Sequence, residues 1–172
     1  HKFGGPGGIG FLYLKDLNDY NAFGTGSRYF LDRPGTPDVA GIAATAVALQ
    51  EAIDTMDERK ANQIAFRDTL EPALEEMGFQ IACKGSDRTP STTFAILPER
   101  ALLLLFELGK KNLHIGLGSA CGALNVGTNQ SLKVMGYDAG QHSAIRISQW
   151  GHCGAEDARY FVDEVKKALR VI

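Results

Sequence analysis

The sequence has no long apolar run, no cysteine pair at metal-binding spacing and no excess of charge of either sign. Its longest uninterrupted apolar stretch, Ala101 to Phe106, falls far short of the ~18 residues of a membrane-spanning helix. The net charge is −2 with both signs mixed along the chain, which argues against nucleic acid or an anionic membrane surface as the main partner. Three cysteines, Cys83, Cys121 and Cys153, are odd in number and widely separated, with no Cys-x-x-Cys, so neither a disulfide framework nor a zinc site is expected. A reducing compartment, the cytoplasm, suits them. His114, His142 and His152 are too scattered to complete a metal site with Cys153, and no metal is expected. There is no internal repeat and no low-complexity segment.

Glycine is abundant: 20 of 172 residues, where roughly 7% is usual. The glycines cluster at Gly4–Gly10 and Gly116–Gly127, with Gly24, Gly26 and Gly35 as a looser group. Clustered glycines mark tight loops and close approach of a ligand to the backbone. Between the clusters the pattern is mixed. Gly10–Leu14 reads as a short buried strand, and 15–36 as loop. A helix is expected from Pro37, with Val39, Ile42, Ala43, Ala46 and Leu49 at 3 and 4 spacing. A second runs from Arg59 to Met77, stopped by Gly78 and kinked or broken at Pro72. Strands are expected at Phe79–Cys83, Thr92–Leu97, Leu113–Leu117 and Ala144–Ser148. Helices are expected at Pro98–Gly109, near Gln130–Met135 and from Ala155 to Val171, the last with an Asp163–Lys167 pair at i, i+4. Alternating helices and single strands define an α/β or α+β chain.

Four segments carry chemistry. Gly5-Pro6-Gly7-Gly8-Ile9-Gly10 matches G-x-G-x-x-G in form, but a strand-like run follows it where a dinucleotide site needs a helix, and no Gly-Lys-Ser/Thr ends it as in a P-loop. Lys2, just before these glycines, is a candidate Schiff-base former if desolvated, or a solvated surface residue. Cys121, in Gly118-Ser119-Ala120-Cys121-Gly122, is a candidate nucleophile on an accessible loop, whereas Cys83 inside a strand pattern reads as inert. Arg146, in Ala144-Ile145-Arg146-Ile147, pairs with a structural carboxylate or clamps a substrate carboxylate.

Taken in order, these segments resemble the C-terminal half of the cysteine desulfurases, in the class V aminotransferase family of fold-type I pyridoxal-phosphate enzymes. His1-Lys2-Phe3-Gly4-Gly5-Pro6-Gly7-Gly8-Ile9-Gly10 resembles the family's His-Lys-x-x-Gly-Pro-x-Gly-x-Gly segment. Arg33-Pro34-Gly35-Thr36 resembles its Arg-x-Gly-Thr motif, Gly118-Ser119-Ala120-Cys121 its sulfur-accepting loop, and His142–Ser148 its substrate-carboxylate strand. The resemblance implies the aspartate aminotransferase-like α/β fold, with the end of a large cofactor domain at 1–56 and a small α/β domain at 57–172. It implies that Lys2 carries pyridoxal 5′-phosphate and shuttles protons, and that Thr36 and His1 meet the cofactor, Thr36 across a homodimer. It further implies that Cys121 takes sulfur from L-cysteine as a persulfide, that Arg146 holds the substrate carboxylate, and that a sulfur-acceptor protein follows, as in iron–sulfur cluster assembly.

Three features depart from the family pattern. Gly24-Thr25-Gly26-Ser27-Arg28 stands where Gly-Gly-Gly-Gln/His-Glu is common, Gly122-Ala123 where small hydroxyl residues follow the cysteine, and Trp150-Gly151-His152-Cys153 after the arginine strand. Because the family places the rest of its cofactor cup before the lysine, and this chain starts at His1, an N-terminal half is expected to complete it. A related aminotransferase or C–S lyase without a persulfide, and a non-catalytic partner-binding fragment, are the competing expectations.

Overall fold

The computed structural model describes residues 1–16, 28–30, 33–98, 100–118, 130–137 and 142–172. The chain divides into two compact units, His1–Met56 and Asp57–Ile172.

The first unit opens with a turn in which the Gly4 N–H donates to the His1 carbonyl at 3.1 Å, with Gly4 at φ +97° and Gly8 at φ +87°. Both angles lie in the left-handed region open to glycine. The expected strand at Gly10–Leu14 does not form. Residues 9–14 have no regular structure, and Phe11, Leu12 and Tyr13 are 73%, 67% and 83% exposed. A strand needs neighbouring strands for its backbone groups, and none among the described residues flanks this run. Within the segment read as loop, β1 (Arg28–Phe30) and β2 (Arg33–Pro34) pair antiparallel.

Helix α1 (Val39–Asp54) starts two residues after Pro37 because Asp38 caps it, its Oδ1 accepting from the Gly41 N–H at 3.0 Å. Ile9 packs beside Gly41, where a Cβ would collide with Ile9 and Asp38. That contact joins the segment carrying Lys2 to the one carrying Thr36. None of the described residues of this unit is buried.

The second unit is a four-stranded antiparallel sheet with three helices on one face and a short helix on the other. Strands β3 (Gln80–Ile81), β4 (Thr92–Pro98), β5 (Gly116–Leu117) and β6 (His142–Ser148) lie in the order β3-β4-β6-β5. The period-2 alternation sends Ala95, Leu97, Ile145 and Ile147 to one face, where they join Phe66, Leu70 and Leu74 of α2 (Met56–Glu76). Leu104 and Leu108 of α3 (Ala101–Gly109) and Phe161, Val162 and Val165 of α5 (Ala155–Leu169) complete this core. Each fully buried leucine stabilises it by roughly 1.5–3 kcal/mol. The other face carries a smaller cluster of Ala82, Ile96, Ala144 and Leu132, the last from α4 (Gln130–Val134), with Phe94 and Tyr137 against it.

Several expectations change here. The helix α2 runs through Pro72 unbroken: the ring is exposed, while Leu70, Glu71 and Leu74 on the opposite side are buried and anchor both halves. The strand expected to reach Cys83 ends at Ile81, and Cys83 is exposed on a turn at φ 54° with its carbonyl accepting from the Ser86 N–H. It is therefore not an inert core thiol. Lys167 pairs with Glu164 at 2.5 Å, an i, i+3 contact, in place of the expected Asp163 pair.

Polar groups tie α2 to the rest of the unit. The buried Glu71 carboxylate accepts from Arg88 Nη2 at 2.7 Å and Thr93 Oγ1 at 2.8 Å, linking α2 to β4. At the start of α2, the Arg59 guanidinium lies 5.1 Å from the Trp150 ring centre, and Asn62 Nδ2 donates to the Gly151 carbonyl at 3.2 Å. A Cβ on Gly151 would fall 2.5–2.7 Å from Arg59 atoms. The Trp150–Cys153 segment thus clamps the turn after β6 onto α2. No single helix among the described residues is long and apolar enough to cross a membrane.

Candidate active site

The candidate residues fall in both units. In the first, Lys2 is exposed at the head of the glycine turn, next to the exposed His1. Cβ atoms placed at Gly4, Gly7, Gly8 and Gly10 would meet nothing within 4 Å, so the loop leaves open space beside the lysine. Thr36 is also exposed. It follows Gly35 at φ +92° and precedes the Asp38 cap of α1.

In the second unit, Arg146 lies mid-strand on β6 and is half-buried. It faces away from the main core, on the face that carries Phe94, Ile96 and Ala144. Among the described residues it has no carboxylate within ion-pair distance, whereas Arg88 is paired with Glu71. Arg146 is thus a half-buried cation without a carboxylate partner among the described residues. Such a group is costly to shield and well suited to a bidentate carboxylate ligand.

Beside it runs β5, with Gly116 directly opposite Arg146 and Leu117 opposite Ile145. The Gly118 N–H then donates to the Ala144 carbonyl at 2.9 Å, extending the pairing by one residue. Cys121 lies three positions further on, outside the described residues, as do Ser119, Ala120 and all of Gly24–Ser27. The root of the Cys121 segment is therefore fixed one strand away from Arg146. Gly116 falls within the strand expected at Leu113–Leu117, of which the structure forms Gly116–Leu117. A glycine inside a strand, which marks close approach of another group, was the signal. No group of three or more His, Cys, Asp or Glu that could hold a metal occurs among the described residues.

No family model matches the chain. Curated relatives do. It is 34% identical over 177 residues to a cysteine desulfurase of Sinorhizobium fredii, covering 100% of this chain and 44% of the relative. It is 34% identical over 165 residues to an IscS-like cysteine desulfurase of Mycobacterium tuberculosis, covering 91% of this chain and 41% of that protein. Among solved structures, a NifS-like protein superposes with TM-score 0.81 at 24% identity over 100% of this chain and 45% of its own. A serine palmitoyltransferase of Sphingomonas wittichii gives TM-score 0.54 at 14% identity, covering 77% of this chain and 29% of that chain. The architecture is thus the C-terminal part of the fold-type I pyridoxal-phosphate enzymes. Within that class, the chain belongs to the cysteine desulfurase family. It spans less than half the length of the curated relatives it matches.

Proposed function

We propose that this chain is the C-terminal part of a pyridoxal-phosphate-dependent cysteine desulfurase, which takes sulfur from L-cysteine and releases L-alanine. The observation that carries the reading is Arg146: a half-buried guanidinium with no carboxylate partner among the described residues, one strand from the root of the Cys121 segment. The residues of the first unit suit the cofactor, since an exposed primary amine beside an open glycine loop, an imidazole and an exposed hydroxyl match an aldehyde and a phosphate. Bound there, pyridoxal phosphate supplies an electron sink for the substrate's α carbon.

Lys2 holds the cofactor and moves protons, taking one at the substrate α carbon and returning one at the β carbon. Arg146 binds the substrate carboxylate through paired N–H donors and so fixes where the sulfur points. Cys121, as thiolate, attacks that sulfur. A sulfur–sulfur bond forms as the carbon–sulfur bond breaks, the bonding pair stays on the β carbon and is protonated there, and a persulfide remains on Cys121. Thr36, with His1, serves the cofactor phosphate, Thr36 reaching it across a homodimer. The N-terminal half supplies the rest of the cofactor cup, and an acceptor protein of sulfur transfer, such as iron–sulfur cluster assembly, takes the persulfide sulfur. A thiolate mechanism suits a reducing, cytoplasmic setting.

The test is borohydride reduction of the full-length holoenzyme followed by peptide mass spectrometry. A pyridoxyl group on Lys2 supports the reading. The same group on Lys15 or another lysine contradicts it.

A further inference from the structure

Arg146 stands at the centre of a cross-strand row, with Phe94 opposite it on β4 and Gly116 opposite it on β5. The two neighbours are unequal. Phe94 occupies its side with a ring, while Gly116 offers bare backbone, and the guanidinium takes the open side. A Cβ built on Gly116 would fall 3.2 Å from Arg146 Nη2, 3.5 Å from Nε and 3.6 Å from Cζ. Three atoms of the guanidinium group at these distances mean that it lies flat across β5 rather than standing off the sheet. Among the described residues no ion pair draws it there, so the space over Gly116 sets its direction. That direction is toward the strand from which the chain leads, through Gly118, to Cys121.

We propose that Gly116 is the positioning residue that aims Arg146: its missing side chain holds the guanidinium over β5, and with it the carboxylate of an α-amino acid substrate beside the root of the Cys121 segment. The proposal rests on the reading that Arg146 binds the substrate carboxylate. An alanine at 116 requires the flexible Nη2 end to give by a few tenths of an ångström. A valine fills the space and drives the guanidinium off the strand.

The test uses the full-length holoenzyme and four variants. Gly116→Val is expected to raise KM for L-cysteine about tenfold and Gly116→Ala about twofold to threefold, each with kcat nearly unchanged at saturation. Binding of cysteamine, the same thiol and amine without the carboxylate, is read from the cofactor absorbance and is expected to stay at the parental value. Leu117→Val, on the same strand but facing the main core, is expected to leave both unchanged. A parental KM in Gly116→Val overturns the proposal. So does an equal loss for cysteine and cysteamine, or the same rise in Leu117→Val, because each shows general disturbance of the strand. Should the valine variant not fold, the alanine variant decides by the same ratio of cysteine to cysteamine. Arg146→Lys tests the underlying reading separately: an unchanged KM there removes both, whereas a raised KM with a parental Gly116→Val removes the Gly116 proposal alone.

Discussion

The two units of this chain are opposites in how they treat apolar surface. Asp57–Ile172 contains every buried side chain among the described residues, gathered on the two faces of one sheet. His1–Met56 contains none, and its helix α1 exposes Val39, Ile42, Val47, Leu49 and Ile53, its polar side chains being Thr45, Gln50, Glu51 and Asp54. Exposed apolar side chains in such number mark a surface that packs against further protein. The second unit therefore has a core of its own, while the first carries the candidate cofactor residues and no buried side chain among its described residues. Chemistry divides along the same line: the candidate cofactor groups Lys2, His1 and Thr36 lie in the exposed unit, and the candidate substrate group Arg146 in the closed one.

The largest effect tests the first unit. Lys2→Ala in the full-length protein is expected to abolish the cofactor absorbance and lower kcat/KM at least about a thousandfold. Arg146→Ala, in the second, is expected to keep that absorbance while kcat/KM for L-cysteine falls roughly a hundredfold. If both variants lose the cofactor, the proposed division of labour is broken.

Stability sharpens the contrast next. Glu71→Ala leaves Arg88 mostly shielded and unpaired, and should cost about 3 kcal/mol in urea denaturation. Leu70→Ala, at a fully buried position, should cost about 2–5 kcal/mol. By contrast Val47→Ala, 69% exposed in this chain, should change its stability by less than about 0.5 kcal/mol, yet cost more than about 1 kcal/mol in the full-length protein. Equal small effects in both contexts would mean that nothing covers α1.

The smallest effect concerns Lys167, whose pKa is raised by its hydrogen bond to Glu164. A raised lysine pKa gives stabilisation that is fully present below the ordinary lysine range and lost as pH rises through the raised value. Lys167→Met should therefore leave the pH dependence of unfolding unchanged near neutrality and flatten it only in strong alkali.

Much of the second unit was legible in the sequence because its signals are local. Alternation along Thr92–Leu97 and Ala144–Ser148 fixed the two central strands, and the apolar stripe of Ala158, Phe161, Val162 and Val165 fixed α5. What failed was whatever depends on partners. Phe11-Leu12-Tyr13 has strand composition but no strand to pair with among the described residues, and Lys167 pairs with Glu164 at i, i+3 over Asp163 at i, i+4. Cys83 looked like core because it follows apolar residues. The left-handed turn that ends β3 at Ile81 brings it to the surface, and no single residue type announces that turn. Arg146 could be located from sequence, but that no carboxylate among the described residues pairs with it required the structure. The same holds for Gly116, whose role depends on what lies opposite it one strand away.

The most direct measurement is peptide mass spectrometry of the full-length holoenzyme after brief exposure to L-cysteine, with the thiols alkylated. The account predicts one extra sulfur atom on the peptide that holds Cys121, with Cys83 and Cys153 unchanged even though Cys83 is exposed. Extra sulfur on Cys83 or Cys153, or alanine formed with no sulfur gained on Cys121, would contradict it.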